Sequence, residues 1–479
     1  MFRHLEPHTL SLMRGTLPAL TLLVGTVILG GQVAAADQGV CPTHVLTIQV
    51  DPRDHRTLYA GTRLDGLFRS TDAGATWTPL IEPRVETVSA LLFDPADTRS
   101  IYGATYGEYL FKSLDAGATW ERRSCGLVQP PCGQFPCYNL PDFYALAADP
   151  GMPSTIYAVA GSLYRSQNGG ANWDKVGFSP RGEQWSASAI LIVPPPDSVI
   201  YVAADALPDQ YAIFKSKDQG ATWSATSQAP PTQVFSLVVD PSDPAVLYAG
   251  TTQGVFKSRD RGEHWGPSSG GLPIRQPYDF QVRHLAPDQN NPGTLYASAD
   301  FYRVFKSTDH GESWVSSQQG LEGERVNATA IDPTDSSVVY AATWSGVFRS
   351  SDGGANWQRT FDLGTTPIIL GTQPGGYYEF GDGSTGSFLY VIGKGFDAGS
   401  VVSWNGSPRQ TSLSSCTRLF VQIPSEDTAE PGLAWLTVTR SDGTRSDPFP
   451  LVIEPVLPAR TVNRGVAARG VVQILKPRR

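Results

Sequence analysis

The sequence predicts an all-β protein, and three observations predict it. An eight-residue pattern, Ser-x-Asp-x-Gly-x-x-Trp, recurs seven times with one Asn in place of the Asp. Its tryptophans lie about 42 to 53 residues apart, the span of a four-stranded sheet rather than of a helical repeat. Composition agrees: 48 Gly, 38 Pro and 11 Trp, with 17% charged residues, suit short strands joined by many turns. The expected architecture is a seven-bladed β-propeller followed by an immunoglobulin-like β-sandwich.

The elements follow in chain order. Residues 1–36 carry Arg3 and Arg14, an apolar run from Leu17 to Leu29, and small residues ending Ala34-Ala35-Ala36. A positive start, a short apolar core and an A-x-A site read as a cleavable signal peptide, and the run is short for a membrane span. The mature chain is therefore expected to be secreted, periplasmic or extracellular, with no transmembrane segment. Gln38-Gly39-Val40 before Cys41 does not read as a lipoprotein signal.

Residues 44–362 hold the repeats. Each unit runs from a β-rich stretch such as Val45 to Val50, through Asp51-Pro52, to Leu58-Tyr59-Ala60-Gly61 and Gly66-Leu67-Phe68-Arg69-Ser70, and then to the eight-residue pattern. That makes four strands. The fourth and sixth units keep the order but lack the Asp-Pro pair, with Pro196-Asp197 and Pro287-Asp288 instead. Within the pattern, the side chains of Asp72, Asp115, Asn168, Asp218, Asp260, Asp309 and Asp352 are expected to accept hydrogen bonds from the following backbone N–H groups. Gly supplies a positive φ, and Trp buries a large ring between sheets. Each turn offers one carboxylate or amide and no convergent second ligand, so the seven are read as structural and not as calcium ligands or acid/base groups.

These residues resemble the Asp-box, or BNR, repeat, and the resemblance covers the chain from Val45 to about Thr360. Asp-box propellers include sialidases, xyloglucanases, sortilin-like receptors and the photosystem II assembly factor, so the resemblance implies a fold and not one activity. Seven units look most like the assembly-factor type or a single xyloglucanase domain. The sialidase R-I-P element is missing, with Arg69 standing in Phe-Arg-Ser-Thr instead, which argues against that activity.

Residues 363–386, rich in Gly, Ser and Thr, read as a linker. Beyond it, short strands with frequent turn signals over 387–455 indicate the β-sandwich. Gly393-Lys394-Gly395-Phe396 and Val402-Ser403-Trp404-Asn405-Gly406 resemble elements of an IPT/TIG module, which implies a spacer or docking role. Residues 456–479 form a basic tail with Arg460, Arg464, Arg469, Lys476, Arg478 and Arg479, expected to be disordered.

A net charge of -8 lacks the basic excess that phosphate neutralisation needs, which excludes nucleic acid and disfavours polyanions as partners of the body. Three of the five cysteines, Cys125, Cys132 and Cys137, share one long loop, and at least one disulfide is expected among them. No flanking His or acid completes a zinc set, so no metal and no cofactor are expected.

In an A-B-C-D sheet the A–B and C–D turns share one end, leaving the B–C and D–A connections at the other. Binding is expected at that second end, whose loops are longer and carry Tyr106, Tyr109, Tyr138, Tyr144, Trp185, Tyr211, Tyr278, Tyr302 and Trp344, with Phe143, Phe280 and Phe301 beside them. The expected function is a monomeric, non-catalytic scaffold that recognises a protein or carbohydrate partner. The alternative is a xyloglucanase-like glycoside hydrolase, which needs a facing carboxylate pair roughly 5 to 9.5 Å apart. Asp65, Glu108, Asp142, Asp205, Asp209, Asp279 and Asp300 are its candidates.

Overall fold

The computed structural model describes residues 43–80, 87–106, 110–127, 142–152, 154–177, 185–196, 198–206, 210–274, 280–299, 303–361, 363, 366–379 and 385–453. These residues are almost wholly strand and turn, with one short helical turn at Ser425–Thr428. They form nine four-stranded antiparallel sheets, the arrangement of a β-propeller with further β-structure attached. Among the described residues no helix is long and apolar enough to cross a membrane.

The first sheet sets the pattern. Strands β1 (Val45–Asp51), β2 (Asp54–Thr62), β3 (Leu67–Ser70) and β4 (Thr78–Leu80) pair in sequence order. Six more sheets repeat that order, the last ending at Gln358–Arg359. In β2 the residues from Thr57 to Thr62 are all buried, because neighbouring sheets cover both faces, and this is why Leu-Tyr-Ala runs replace the usual alternation there. Between β1 and β2 the register shifts between Val45 and Thr47, and the same irregularity follows Val88, Ala187, Val234, Val282 and Val326. Such bulges bend and twist the strand.

The repeated Asp-containing turns share one bonding scheme. Ser70 Oγ accepts from Gly74 N–H, Asp72 Oδ1 accepts from Thr76 N–H, and the equivalents in the other six turns measure 2.7–2.9 Å. Two successive residues adopt positive φ, Ala73 at 59° and Gly74 at 87°. The Ser acceptor and the first left-handed residue are features that sequence reasoning did not assign. Among the described residues, six repeat-unit carboxylates of Asp-Pro or Pro-Asp pairs, Asp51, Asp94, Asp149, Asp240, Asp288 and Asp332, form a second set, each capping the N–H two residues on. Asp288 fills this role although its proline precedes it.

Sheets are joined face to face. Tyr59, Tyr102, Tyr157, Tyr201, Tyr248 and Tyr296 each donate a hydroxyl bond to a carbonyl in the Asp/Asn turn of the next sheet, at Ala116, Gly169, Gln219, Arg261, His310 and Gly353, over 2.6–3.3 Å. Tyr340 of the seventh sheet reaches Ala73 of the first. Burying a ring of this size contributes roughly 2 to 3 kcal/mol and its hydroxyl bond about 1. Packing therefore supplies most of the cohesion, and the bond selects one angle between sheets. A further latch joins three pairs of sheets: Trp173, Trp314 and Trp357 donate backbone N–H bonds of 2.8 Å to Cys125, Gly270 and Gln319, each followed by a glycine at positive φ.

The last two sheets have strand orders that cross over in sequence: Ile368–Glu379, Thr385–Lys394, Arg418–Pro424 and Thr411–Ser415 in one, and Ser407–Pro408, Val401–Trp404, Gly432–Thr439 and Phe449–Ile453 in the other. Leu389, Val391, Leu419 and Val421 of the first sheet share one core with Val402, Trp404, Leu436 and Val438 of the second. The stretch expected as a linker departs from that reading, since Ile368–Glu379 is a strand paired along Thr385–Lys394. Its Ile368-Ile369 start favours extended backbone, and composition weighted by the later glycines concealed it. The module is tied back to the first sheet where Thr417 N–H and Oγ both donate to Asp65 Oδ1 at 3.1 and 3.0 Å.

Cys416, which was not among the expected disulfide cysteines, is disulfide-bonded. Cys132 and Cys137 lie outside the described residues, as do residues 1–42 and 454–479 with the expected leader and tail.

Candidate functional site

The Asp-containing turns occupy one end of the sheets and are consumed by their own bonds. At the other end lie the B–C turns and the starts of the A strands. Arg63 stands in the turn after β2, and Tyr106 and Trp344 stand in the matching turns of the second and seventh sheets. His44, Tyr144, Arg283 and Arg325 stand at or just before the first strands of the first, third, sixth and seventh sheets.

Four of these residues meet. Trp344 has His44 stacked on its ring at 4.7 Å and 22° and the Arg325 guanidinium over the ring at 3.7 Å. Trp344 N–H also donates to the Arg325 carbonyl, and Arg63 N–H to the His44 carbonyl. Arg283 lies over Phe235 at 4.8 Å and donates to Gln281 Oε1 at 2.7 Å. Tyr144 Oη donates to the Ala187 carbonyl and accepts from Gly161 N–H, which fixes the ring while leaving 38% of the residue exposed. Tyr106 is 40% exposed.

Burial and neighbouring charge shift several of these groups. Loss of solvation raises the Tyr106 phenol, Asp142 adds to this, and the charges of Arg63 and Arg283 oppose it. The Arg283 pKa is lowered by loss of solvation and then by the Arg325 charge, with Tyr106 acting in the opposite sense. Burial lowers His44, helped by Arg63 and Arg325 and opposed by Asp65. Burial also raises Tyr144, which is sensitive to Asp205 and to Tyr106. Residues from the first, second, third, sixth and seventh sheets thus stand at the end opposite the Asp-containing turns.

The predicted site residues divide four ways. Tyr106, Tyr144 and Trp344 stand at the end opposite the Asp-containing turns. Trp185 packs edge-on against Phe214 at 5.3 Å, and Tyr211 pairs in register with Asp205 on the fourth sheet. Phe143 and Phe280 are core residues, 0% and 2% exposed. Tyr109, Tyr138, Tyr278, Tyr302 and Phe301 lie outside the described residues, as do Glu108, Asp209, Asp279 and Asp300. Of the described acids, Asp65 is held by Thr417, and burial raises the Asp205 pKa against its backbone and Gln233 bonds. Sequence reasoning missed Arg63, Arg283, Arg325 and His44 because it sought aromatic rings and carboxylates. Their recurrence at the B–C turns and A-strand starts was the available signal.

No family model and no curated protein matches the chain. Solved structures do. A GH74 xyloglucanase from Xanthomonas campestris is similar at 18% identity and a TM-score of 0.54, covering 75% of this chain and 59% of that one. The GH74 enzyme of Niastella koreensis is similar at 19% identity and a TM-score of 0.53, covering 73% of this chain and 58% of that one. YCF48 from Cyanidioschyzon merolae aligns at 12% identity and a TM-score of 0.48, over 65% of this chain and 95% of that one. The chain spans under two thirds of the length of the two GH74 enzymes, and at these identities what it shares with them is the fold, that of a β-propeller protein.

Proposed function

We propose that the protein is an exported, non-catalytic binding or assembly scaffold that recognises its partner, a protein or a glycan, at the mouth opposite the Asp-containing turns. In this reading the seven repeat sheets are the blades of one closed Asp-box propeller, and the two crossed-over sheets form an immunoglobulin-like module of IPT/TIG type. The observation that carries it is that the end opposite the Asp-containing turns presents the Arg325–Trp344–His44 stack and the partly exposed rings of Tyr106 and Tyr144, while the carboxylates at the other end are spent on turn bonds. The leader-like residues 1–36 support export.

The test is the purified chain on glycan and peptide arrays, with a hydrolysis assay on the same glycans. Binding without turnover, weakened by Tyr106→Ala, is expected. Turnover of a β-glucan would replace this reading with the hydrolase.

A further inference from the structure

We propose that the module after the repeats is a strap across the joint between the seventh repeat sheet and the first, made covalent by a disulfide between Cys416 and Cys41. The inference concerns how the repeat sheets are held together and does not depend on what the protein binds.

The chain leaving the repeats begins the strap. The seventh sheet ends at Gln358–Arg359, and the residues after it pass onto the first sheet. Phe361 packs 5.1 Å from Phe68 and 5.3 Å from Trp77, in a core shared by both sheets. The module returns to the first sheet at Cys416 and Thr417. These two residues form the tip between the strands Thr411–Ser415 and Arg418–Pro424, a position that is ordinarily solvated, yet each is only 3% exposed. Thr417 N–H and Oγ both donate to Asp65 Oδ1, at 3.1 and 3.0 Å. Asp65 is itself positioned by its N–H bond to Thr62 Oγ1, so the tip is fastened to a fixed turn of the first sheet.

Sequence and contacts then assign the disulfide. Cys416 is bonded, and the other four cysteines, Cys41, Cys125, Cys132 and Cys137, all stand at residue 137 or earlier, so within one chain the bond must reach back from the module to the early sequence. Cys125, Cys132 and Cys137 belong to the stretch joining the second sheet to the third. Cys41 belongs to the first. Thr417, the neighbour of Cys416, is on Asp65; Arg63, two residues earlier, donates its N–H to the His44 carbonyl at 2.9 Å. Cys41 is three residues from His44, a tether of about 10 Å at full extension. A bond there closes a loop that contains every repeat sheet, and cross-links that close long loops constrain the unfolded chain most. It also acts at the joint where no strand is shared between sheets.

The experiment has two parts, both on the full oxidised chain. Peptide mapping by mass spectrometry without reduction should find the Cys416 peptide joined to the Cys41 peptide. A free Cys416 thiol, a bond to Cys125, Cys132 or Cys137, or a bond between two copies would overturn the assignment. Melting temperature and hydrogen exchange are then compared for wild type, Cys41→Ser, Cys416→Ser and wild type treated with dithiothreitol, which reduces the bond to two thiols and is itself oxidised to its cyclic disulfide. Both Ser variants should melt below wild type by equal amounts, about 5 °C or more. Exchange should quicken in them at Val45–Asp51 of the first sheet and Val326–Ile331 of the seventh, and stay as in wild type at Ile200–Ala206 of the fourth. Asp65→Ala removes the Thr417 acceptor and keeps the strap testable should the Ser variants fail to fold: it should quicken exchange at the same two strands, and more so after dithiothreitol than before it. Exchange that quickens only within the module, or equally in all seven repeat sheets, would overturn the strap.

Discussion

The hydroxyl of Tyr340 donates to the carbonyl of Ala73 at 3.3 Å, joining the seventh repeat sheet to the first across 267 residues. Asn327 Nδ2 to the Val45 carbonyl at 2.6 Å is a second bond at this joint, and Phe361 packs tilted on Trp77 at 5.3 Å. All four strands of each repeat sheet come from consecutive sequence, so no strand is shared between first and last. Side-chain packing and these few bonds therefore hold the joint.

Tyr340→Phe keeps the ring and removes the hydroxyl, so it should cost about 0.5 to 1.5 kcal/mol in urea denaturation. Tyr296→Phe, with a 2.8 Å bond inside the series, should cost at least as much. No loss in either variant would mean that these hydroxyls do not help to set the angle between sheets.

Asp72→Ala removes the acceptor for Thr76 N–H and for the Thr76 and Ser70 hydroxyls. The expected loss is about 1 to 3 kcal/mol, with ligand binding retained at temperatures where the variant is folded. Asp72→Asn should cost less, because Asn168 already makes the equivalent backbone bond in the third sheet. Unchanged melting with lost binding would make the turns functional.

Gly320 has φ of 91°, and a Cβ there would lie 2.1 Å from the Trp357 carbonyl oxygen. Gly320→Ala therefore combines backbone strain with a clash against main chain that cannot rotate away, and it should destabilise by roughly 2 kcal/mol or more. Gly406→Ala is the control, since φ there is also positive but nothing lies within 4 Å of the added carbon. Equal effects at both sites would show strain alone to be responsible.

Acid should unfold the repeats over a defined window. Asp218, Asp309 and Asp352 are held down at about 2, chiefly by the side chains of Thr222, Ser313 and Asn356. Asp240 is also at about 2, because bonds from Ser242, His310 and Tyr248 outweigh the opposing effect of burial. A depressed folded-state pKa gives stability that is fully present above the ordinary value of 3.8 and lost as pH falls through 2. Denaturation midpoints should be flat from pH 5 upward as far as these groups are concerned, and should fall steeply between about pH 4 and 2.

Much of the fold was legible because the repeat writes its own turns: Ser, Asp, Gly and Trp at fixed spacing allow one geometry, and Tyr59 with its six counterparts sits in an apolar run of fixed length. The strand at Ile368–Glu379 was not legible, since its glycines and prolines resemble a linker until a partner strand is present. The candidate site was legible only as position. Tyr106 and Tyr144 are partly exposed at the end where their loop position put them, but Phe143 and Phe280 satisfied the same criteria and proved to be core, because ring type alone does not report burial. The pairing of Arg325 with Trp344 depends on the meeting of an A-strand start and a B–C turn in one sheet, a tertiary relationship that spacing does not encode.

The most direct test of the binding face is hydrogen exchange, with and without a ligand identified on the arrays. Protection is predicted at residues 62–66, 105–106, 143–144 and 343–346, with exchange at Asp72–Trp77 and the equivalent turns unchanged. Protection confined to those Asp-containing turns, with the mouth unaffected, would contradict the account.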